Sequence, residues 1–396
     1  MSVAGAPQPE QVTRPQAGGS SARAVLALAL VPELGPRRIR RLVSIMGGPE
    51  AALDASMAQL ASVPSIGDDL ARKLSRGLTK AQKEVDAKLE HVQRAGVQIL
   101  PFDDPEYPSQ LAGDEHAPAL LYVRGSVAAL SRDGVGMVGA RKCSAYGIDQ
   151  AGRFAGLLAQ AGWSIVSGGA RGIDTAAHHA ALRAGGVTVA VLGCGLDHCY
   201  PAENRDLFDQ IVDAGGAVIS ELPMHCSPEA KNFPARNRVI AGLSRGVLVV
   251  EAGEKSGALI TAREAGEMGR EVMAIPGRID VPTSKGCHDL IRDGVTLVAC
   301  PADVEEAIGH LRGRPAPVTN LFEPSVDMAA VEEGTGGDRT PNSMEERVLA
   351  ALGEALTLDQ LCERVALPPE QVRATVTLLE IRRRVRREGM RLIRAR

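Results

Sequence analysis

The sequence predicts an α/β fold: a doubly wound, mostly parallel sheet, flanked by a small N-terminal helical module and a C-terminal winged helix. Two patterns predict the sheet, namely short unbroken apolar runs rich in Val and Ile, and helical apolar periodicity between those runs. Unbroken apolar runs are typical of strands buried on both faces. Strands that alternate with helices form a parallel sheet, which binds ligands beyond the carboxyl ends of its strands.

Seven apolar runs define the predicted sheet domain, which we place at residues 115–310. The runs cover 120–123, 135–138, 164–166, 187–192, 217–219, 247–250 and 272–275. Between the second and third runs, Ile148, Ala151, Ala155 and Leu158 recur at helical spacing. Such spacing predicts an amphipathic helix that covers the sheet.

The N-terminal part of the chain differs from the sheet domain in composition and in its apolar pattern. Residues 1–22 are rich in Pro, Gly, Gln and Ser, which predicts a disordered tail. Residues 23–100 predict a helical module of the SAM or helix-hairpin-helix type, with a weak repeat of Val31-Pro32-Glu33-Leu34-Gly35 at Val63-Pro64-Ser65-Ile66-Gly67. Each repeat leads into basic residues, which fits either auxiliary DNA contact through helix-end amides or ordinary turns with solvated basic faces.

The C-terminal part is predicted to be a linker and a compact module. Residues 312–342 contain four prolines and few apolar residues, which is typical of a linker. Residues 343–396 predict helices at 344–352, 358–365 and 370–381 and then a short wing, the pattern of a winged helix. Eight arginines follow Glu380, and they suit contact with duplex DNA, an acidic protein partner or solvent alone.

Composition narrows the possible functions. The 396 residues contain 45 Lys and Arg against 48 Asp and Glu, so nucleic-acid binding would have to come from local patches. Aromatic residues make up 3% of the chain, too few for a long stacking platform. The sequence has no apolar stretch of about 18 residues and no signal-peptide pattern, and its seven cysteines are odd in number. We therefore expect a cytoplasmic protein in a reducing compartment, with no membrane contact.

Two glycine-containing loops follow predicted strands. The loop 139–144 offers a tight turn at Gly139, a forked cation at Arg141 and a helix cap at Ser144. The loop 167–174 has three glycines in six residues before a helix, a pattern that brings backbone amides close to a phosphate. Neither loop matches a P-loop or a dinucleotide-binding fingerprint.

Two further segments add to the predicted site. The segment 231–238 places three cations and Phe233 just before a predicted helix, and cations beside a stacking ring suit a flexible nucleic-acid strand. The segment 255–261 follows a strand, and its Ser256 and Gly257 begin a helix that offers amides to an anion.

In their order along the chain, these motifs resemble the DNA-processing protein A (DprA, also called Smf) family over about residues 120–298. The matching motifs are Gly139-Ala140-Arg141, Ser167-Gly168-Gly169-Ala170-Arg171-Gly172-Ile173-Asp174, Gly195-Leu196-Asp197, Tyr200-Pro201-Ala202-Glu203-Asn204, Ser220-Glu221, Phe233-Pro234-Ala235-Arg236-Asn237-Arg238, Ser256-Gly257-Ala258-Leu259-Ile260-Thr261 and Pro276-Gly277.

The resemblance implies an extended Rossmann-like sheet domain that forms homodimers, no cofactor and no catalytic activity. It implies a single-stranded DNA binding protein of natural transformation or recombination, which protects DNA, loads the RecA recombinase and can displace single-strand binding protein. With the phosphate-type loops, it makes these residues the predicted DNA contacts: Arg141, Ser167, Gly168, Gly169, Arg171, Lys231, Phe233, Arg236, Asn237, Arg238, Ser256 and Gly257.

Two other functions are weighed against this one. The same sheet type resembles nucleoside-monophosphate phosphoribohydrolases, whose site contains a Thr-x-x-Glu fragment matched by Thr261-Ala262-Arg263-Glu264. The Gly-Gly-x-Gly-Thr loop of those enzymes is missing, since 256–261 stands in its place. The third reading is a sequence-specific repressor that binds duplex DNA through the winged helix.

A metal site is not predicted. The candidates are Cys194, His198, Cys199, His225 and Cys226, together with the His178-His179 pair. No Cys-x-x-Cys pair occurs among these residues, and adjacent histidines on a helix point apart, so zinc ligation is not expected.

Overall fold

The computed structural model describes residues 20–114, 116–312, 344–353, 355–365, 367–381, 384–388 and 391–394. The predicted tail at 1–22 lies outside the described residues up to position 19, and helix α1 begins at Ser20. The predicted linker at 312–342 lies outside the described residues except for Arg312.

All seven predicted strands are present in a sheet that has nine strands within the described residues. The strands are β1 (Gln98–Pro101), β2 (Leu120–Gly125), β3 (Gly134–Gly139), β4 (Ser164–Ser167), β5 (Thr188–Val191), β6 (Ala217–Ser220), β7 (Ser244–Glu251), β8 (Glu271–Ala274) and β9 (Thr296–Leu297). Strands β1 and β9 were not predicted, since each is short and lies at a sheet edge.

The strand order is β1-β2-β6-β5-β4-β3-β7-β8-β9. Strands β3 to β9 pair in parallel, whereas β2 pairs antiparallel with both β1 and β6. The chain builds outward from β3 through β4, β5 and β6, and then returns to place β7 on the other side of β3. In such a sheet the order in which strands are added reverses between β3 and β7. A crevice opens there, beyond the carboxyl ends of these two parallel strands.

Helices cover both faces of the sheet. The helices of this domain are α6 (Ser109–Ala112), α7 (Ala145–Gln160), α8 (Ile173–Arg183), α9 (Arg205–Asp213), α10 (Asn232–Gly242), α11 (Ala258–Glu267), α12 (Lys285–Arg292) and α13 (Pro301–Ile308). Val247 and Val249 of β7 are buried in the cluster that contains α10 and α11, whereas Leu248 and Val250 are buried in the cluster that contains α7 and α8. This alternation follows from the two-residue period of a strand.

The N-terminal module consists of α1 (Ser20–Ala29), α2 (Pro36–Met46), α3 (Pro49–Leu53), α4 (Met57–Ser62) and α5 (Asp68–Arg94). The repeated motif forms two similar turns, since the amide of Leu34 donates to Val31 and the amide of Ile66 donates to Val63. Arg40 of α2 is inserted towards the sheet domain, 4.7 Å from the centre of the Phe102 ring. This basic residue therefore joins the two parts of the chain.

The C-terminal module is a winged helix. Its elements are α14 (Met344–Ala351), β10 (Leu356–Thr357), α15 (Leu358–Val365), α16 (Pro369–Ile381), β11 (Val385–Glu388) and β12 (Arg391–Arg394). The three strands pair antiparallel in the order β10-β12-β11. Val372, Val376 and Leu379 of α16 are buried in the core of this module, as their spacing predicts.

None of the helices in the described residues combines the length and the apolar character that a membrane crossing requires.

Candidate functional site

A pocket of about 710 Å³ opens beyond the carboxyl ends of β3 and β7, where the strand order reverses. Its walls come from the loops that follow β3 and β7, from the first turns of α10 and α11, and from parts of the segments that follow β4, β5 and β6. Six of the predicted contacts meet in this one cavity, namely Arg141, Phe233, Arg236, Asn237, Ser256 and Gly257.

One wall of the pocket carries an aromatic pair with a cation above it. The guanidinium of Arg141 lies 4.8 Å from the centre of the Phe233 ring, and the Tyr200 ring lies 5.5 Å from the same ring. A cation within about 6 Å of a ring centre is attracted to the ring. Tyr200 was not among the predicted contacts, although its motif was part of the family resemblance.

Three exposed cations surround the opening of the pocket: Arg141, Lys142 and Lys255. In the part of the chain that the structure describes, none of the three forms an ion pair. Lys142 and Lys255 were not among the predicted contacts, although each lies in a loop with a predicted role in the site. Both lysines meet at the pocket only because β3 and β7 are neighbours in the sheet. The sequence does not show this strand order directly.

The loop that carries Arg141 is held by a buried carboxylate. Glu251, at the end of β7, accepts hydrogen bonds from the backbone amide of Ser144 at 3.0 Å and from its hydroxyl at 2.6 Å. The Ser144 hydroxyl also accepts the amide of Gly147, so it caps α7 as predicted. A side chain at Gly147 would collide with the Glu251 carboxylate, which requires glycine there.

Arg236, one of the predicted DNA contacts, lines the pocket but is only 5% exposed. Its guanidinium donates to the carbonyl of Gly168 at 2.6 Å and to the carbonyl of Val191. Burial lowers the pKa of Arg236 to about 10, while nearby Asp174 acts in the opposite direction. Arg236 thus joins the ends of β4 and β5, and a side chain at Gly168 would collide with it.

The glycine loop after β4 also departs from the prediction. The amides of Gly168 and Ala170 donate to the same carboxylate oxygen of Asp174, at 3.1 and 3.2 Å. These amides are therefore occupied by the protein's own anion and do not face an incoming phosphate. Burial raises the pKa of Asp174 to about 6, and Arg236 is the main group that counteracts this effect.

The remaining members of this loop are internal or paired. The Ser167 hydroxyl is buried and donates to the carbonyl of Met137 at 2.6 Å. Gly169 has a positive φ of 62°. Arg171 forms a two-pronged ion pair with Glu203, one bond of which measures 3.0 Å. The structure therefore assigns the predicted contacts Ser167, Gly168 and Gly169 to the frame of the site.

Besides Arg171, two more of the predicted basic contacts do not line this pocket. The Lys231 ammonium is exposed and pairs with Glu229 at 2.7 Å. Arg238 pairs with Glu221 and lines a second groove, of about 730 Å³, which Arg37 and Glu264 also line. The segment 231–238 therefore does not place all its cations on one surface, because successive residues of a helix point in different directions.

Two polar residues complete the pocket wall. Asn237 is buried and donates from its side-chain amide to the carbonyl of Gly257 at 3.3 Å. The Ser256 hydroxyl accepts the amide of Ala258 at 3.3 Å at the start of α11. These contacts hold the first turns of α10 and α11 together beside Lys255.

The described residues contain no group of three His, Cys, Asp or Glu side chains that could hold a metal ion. His178 is buried and its Nδ1 contacts the hydroxyl of Thr188 at 2.7 Å, while burial lowers its pKa to about 3. All seven cysteines are free thiols.

Comparison with known proteins connects this architecture to one family. Residues 98–309 match the model of the family described as DNA recombination-mediator protein A, and residues 335–389 match the DprA winged helix domain. Protein Smf of Escherichia coli strain K12 is 38% identical over 313 residues, which cover 78% of this chain and 80% of that protein.

Two solved structures extend the comparison. DNA processing protein A from Streptococcus pneumoniae aligns with a TM-score of 0.63 and 36% identity, covering 72% of this chain and 98% of that one. DNA processing protein A from Helicobacter pylori, described for its single-stranded DNA binding mode, aligns with a TM-score of 0.50 and 27% identity, covering 55% of this chain and 97% of that one.

Proposed function

This chain belongs to the DNA recombination-mediator protein A family, and from that premise we propose that it binds single-stranded DNA in the pocket between β3 and β7. The proposal rests on one observation above all: Arg141, Lys142 and Lys255 surround an opening whose wall carries Phe233 and Tyr200. Cations bind the phosphates of a flexible strand, and aromatic rings stack on its exposed bases whatever their sequence.

The geometry favours a strand over a duplex. The rings of Phe233 and Tyr200 line a cavity beyond the carboxyl ends of the strands. Only an unpaired base could enter this cavity and stack on them. A duplex hides its base faces in the stack and presents mainly phosphates and groove edges. The Helicobacter pylori relative, described as binding single-stranded DNA, supports the same preference.

A catalytic function is less well supported. Glu264, the acid of the phosphoribohydrolase-like fragment, lines the second groove and not the pocket with Arg141. Asp174 does line the pocket, but its carboxylate is engaged by two amides and by the charge of Arg236. We therefore propose a binding protein that performs no bond cleavage at this site.

The wider role follows from the family resemblance. We propose that the bound strand is protected, that RecA is loaded onto it and that single-strand binding protein is displaced in the process. We also propose a homodimer formed through the sheet domain and a protein or duplex DNA contact through the winged helix. The place of action would be the cytoplasm.

A direct binding comparison tests this proposal. The full chain is titrated into a fluorescent single strand and into the matching duplex at equal salt, and nucleoside monophosphates are assayed separately for release of free base. We expect tighter binding to the single strand and no release. Equal affinity for both DNA forms, or release at an enzymatic rate, would reject the proposal.

A further inference from the structure

Helix α5 exposes a row of cations that the pocket does not use. Lys73, Arg76, Lys80 and Lys83 recur at spacings of three and four residues, so they lie along one side of the helix. All four are exposed, while Leu74 and the other apolar side chains between 72 and 85 are buried on the opposite side. We call these four residues the α5 ridge.

The ridge is weakly neutralised. Lys80 has a single long contact with Glu84, at 3.8 Å, and the neighbouring Asp69 is occupied by Arg72 at 2.8 Å. Lys73, Arg76 and Lys83 form no ion pair with any other residue that the structure describes. The net charge of the whole chain is −3, so this row is a local departure from the charge of the protein.

The chemistry of the ridge fits phosphates better than a peptide. Between residues 72 and 85 the exposed side chains are charged or polar, with no exposed aliphatic or aromatic group. Peptide recognition on a helix surface relies on apolar anchors, whereas a nucleic-acid backbone is bound by charge alone. The four cations span about 15 Å of helix, at 1.5 Å per residue.

The end of α5 contacts the loop that leads into the pocket wall at Tyr200. The Nε2 of His91, in the last turn of α5, lies 3.0 Å from both carboxylate oxygens of Asp197. Asp197 is three residues before Tyr200, which lines the pocket beside Phe233. The ridge therefore begins about 12 Å along the helix from this contact, since Lys83 precedes His91 by eight residues.

From this placement we infer that the α5 ridge is a second binding surface for the sugar-phosphate backbone of single-stranded DNA, engaged by strands long enough to leave the pocket past Tyr200. This inference rests on the proposed function and extends it from one cavity to a track. Short strands fill the pocket alone, and longer strands add the ridge contacts.

The test compares two oligonucleotides and two variants of the full chain. The probes are oligo(dT) of about 6 nucleotides, near the short end of single-strand binding site sizes, and of about 25 nucleotides, beyond their long end of about 16. The ridge variant is Lys73→Gln/Arg76→Gln/Lys83→Gln. The control, Arg132→Gln/Arg153→Gln/Arg183→Gln, removes three exposed cations of the sheet domain and so changes the net charge equally.

We expect the ridge variant to bind the short probe like the wild type and the control. It should bind the long probe about tenfold to a hundredfold more weakly near 0.1 M salt, with a log affinity against log salt slope reduced by about 2. Unchanged affinity and slope for the long probe would overturn the inference.

Two other outcomes also decide the question. Loss of polyglutamate binding in the ridge variant, with unchanged DNA binding, would assign the ridge to an acidic protein partner and overturn the inference. Failure of the wild type to bind either probe would reject the proposed function and the ridge inference together. If the ridge inference alone is wrong, the wild type still binds the short probe and the ridge variant binds both probes like the wild type.

Discussion

The Arg141 guanidinium lies 4.8 Å from the centre of the Phe233 ring, although the two residues are 92 positions apart in the sequence. Arg141 follows β3 and Phe233 lies in the first turn of α10. The contact exists only because the sheet brings these two segments together beyond the carboxyl ends of its strands. In the proposed function, Arg141 binds a phosphate and Phe233 stacks on a base of the same nucleotide.

The first prediction concerns this pair. Arg141→Gln should weaken single-strand binding by about 1–3 kcal/mol, because a charge-assisted contact is lost. The measurement is fluorescence anisotropy with a short oligonucleotide at fixed salt. Arg153→Gln, which removes an exposed arginine on α7, serves as the control and should bind like the wild type. Equal affinity for both variants would place the strand elsewhere.

The second prediction concerns the lysines that the sequence analysis missed. Lys142→Gln/Lys255→Gln should reduce the slope of log affinity against log salt by about 1.4, since each phosphate contact on a single strand contributes about 0.7. Arg132→Gln/Arg183→Gln is the matched control, because it removes two exposed cations of the sheet domain that do not line the pocket. A slope that falls in the control but not in the lysine variant would contradict the assignment of these lysines.

The third prediction concerns Arg236, which the structure assigns to the frame of the site. Arg236→Met should lower the free energy of unfolding by about 3–5 kcal/mol, because it leaves the Asp174 charge and two carbonyls without their partner. Chemical denaturation measures the loss. A variant that unfolds like the wild type while losing DNA affinity would show that Arg236 acts mainly as a contact.

The fourth prediction concerns pH. The pKa of Asp174 is raised by burial from 3.8 to about 6, so its protonated form is favoured by folding. Its contribution to stability is fully present below pH 3.8 and is lost as the pH rises through 6. The unfolding free energy of the wild type, relative to Asp174→Asn, should therefore fall by about 2 kcal/mol between pH 4 and pH 7.

The comparison with Asp174→Asn removes the titration of all other groups from this prediction. Denaturation curves of both proteins at matched ionic strength provide the measurement. A difference that stays constant, or grows in favour of the wild type as the pH rises, would contradict the raised pKa.

Much of the fold could be predicted because its signals are local. The Val and Ile runs identify seven strands, and the spacing of Val372, Val376 and Leu379 identifies the core side of α16. The edge strands β1 and β9 were missed, since four and two residues carry too little periodicity. Their existence depends on neighbours that are distant in sequence.

The site was predicted less completely, for a physical reason. Sequence motifs mark the loops at the sheet edge, but they do not show which polar groups are satisfied inside the protein. The glycine pattern around Gly168 predicts amides that bind a phosphate. In the structure the amides of Gly168 and Ala170 donate to the carboxylate of Asp174 instead. Arg236 resembles a surface cation until its bonds to two strand-end carbonyls are seen.

The central claim is that the pocket beyond the carboxyl ends of β3 and β7 binds single-stranded DNA. Its most direct test is the affinity of a short oligo(dT) for Arg141→Gln/Lys142→Gln/Lys255→Gln, with Arg132→Gln/Arg153→Gln/Arg183→Gln as the variant of equal charge. We predict that the pocket variant loses on the order of a hundredfold in affinity near 0.1 M salt and that the control stays within about twofold of the wild type. Equal loss in both variants, or no loss in either, would contradict the claim.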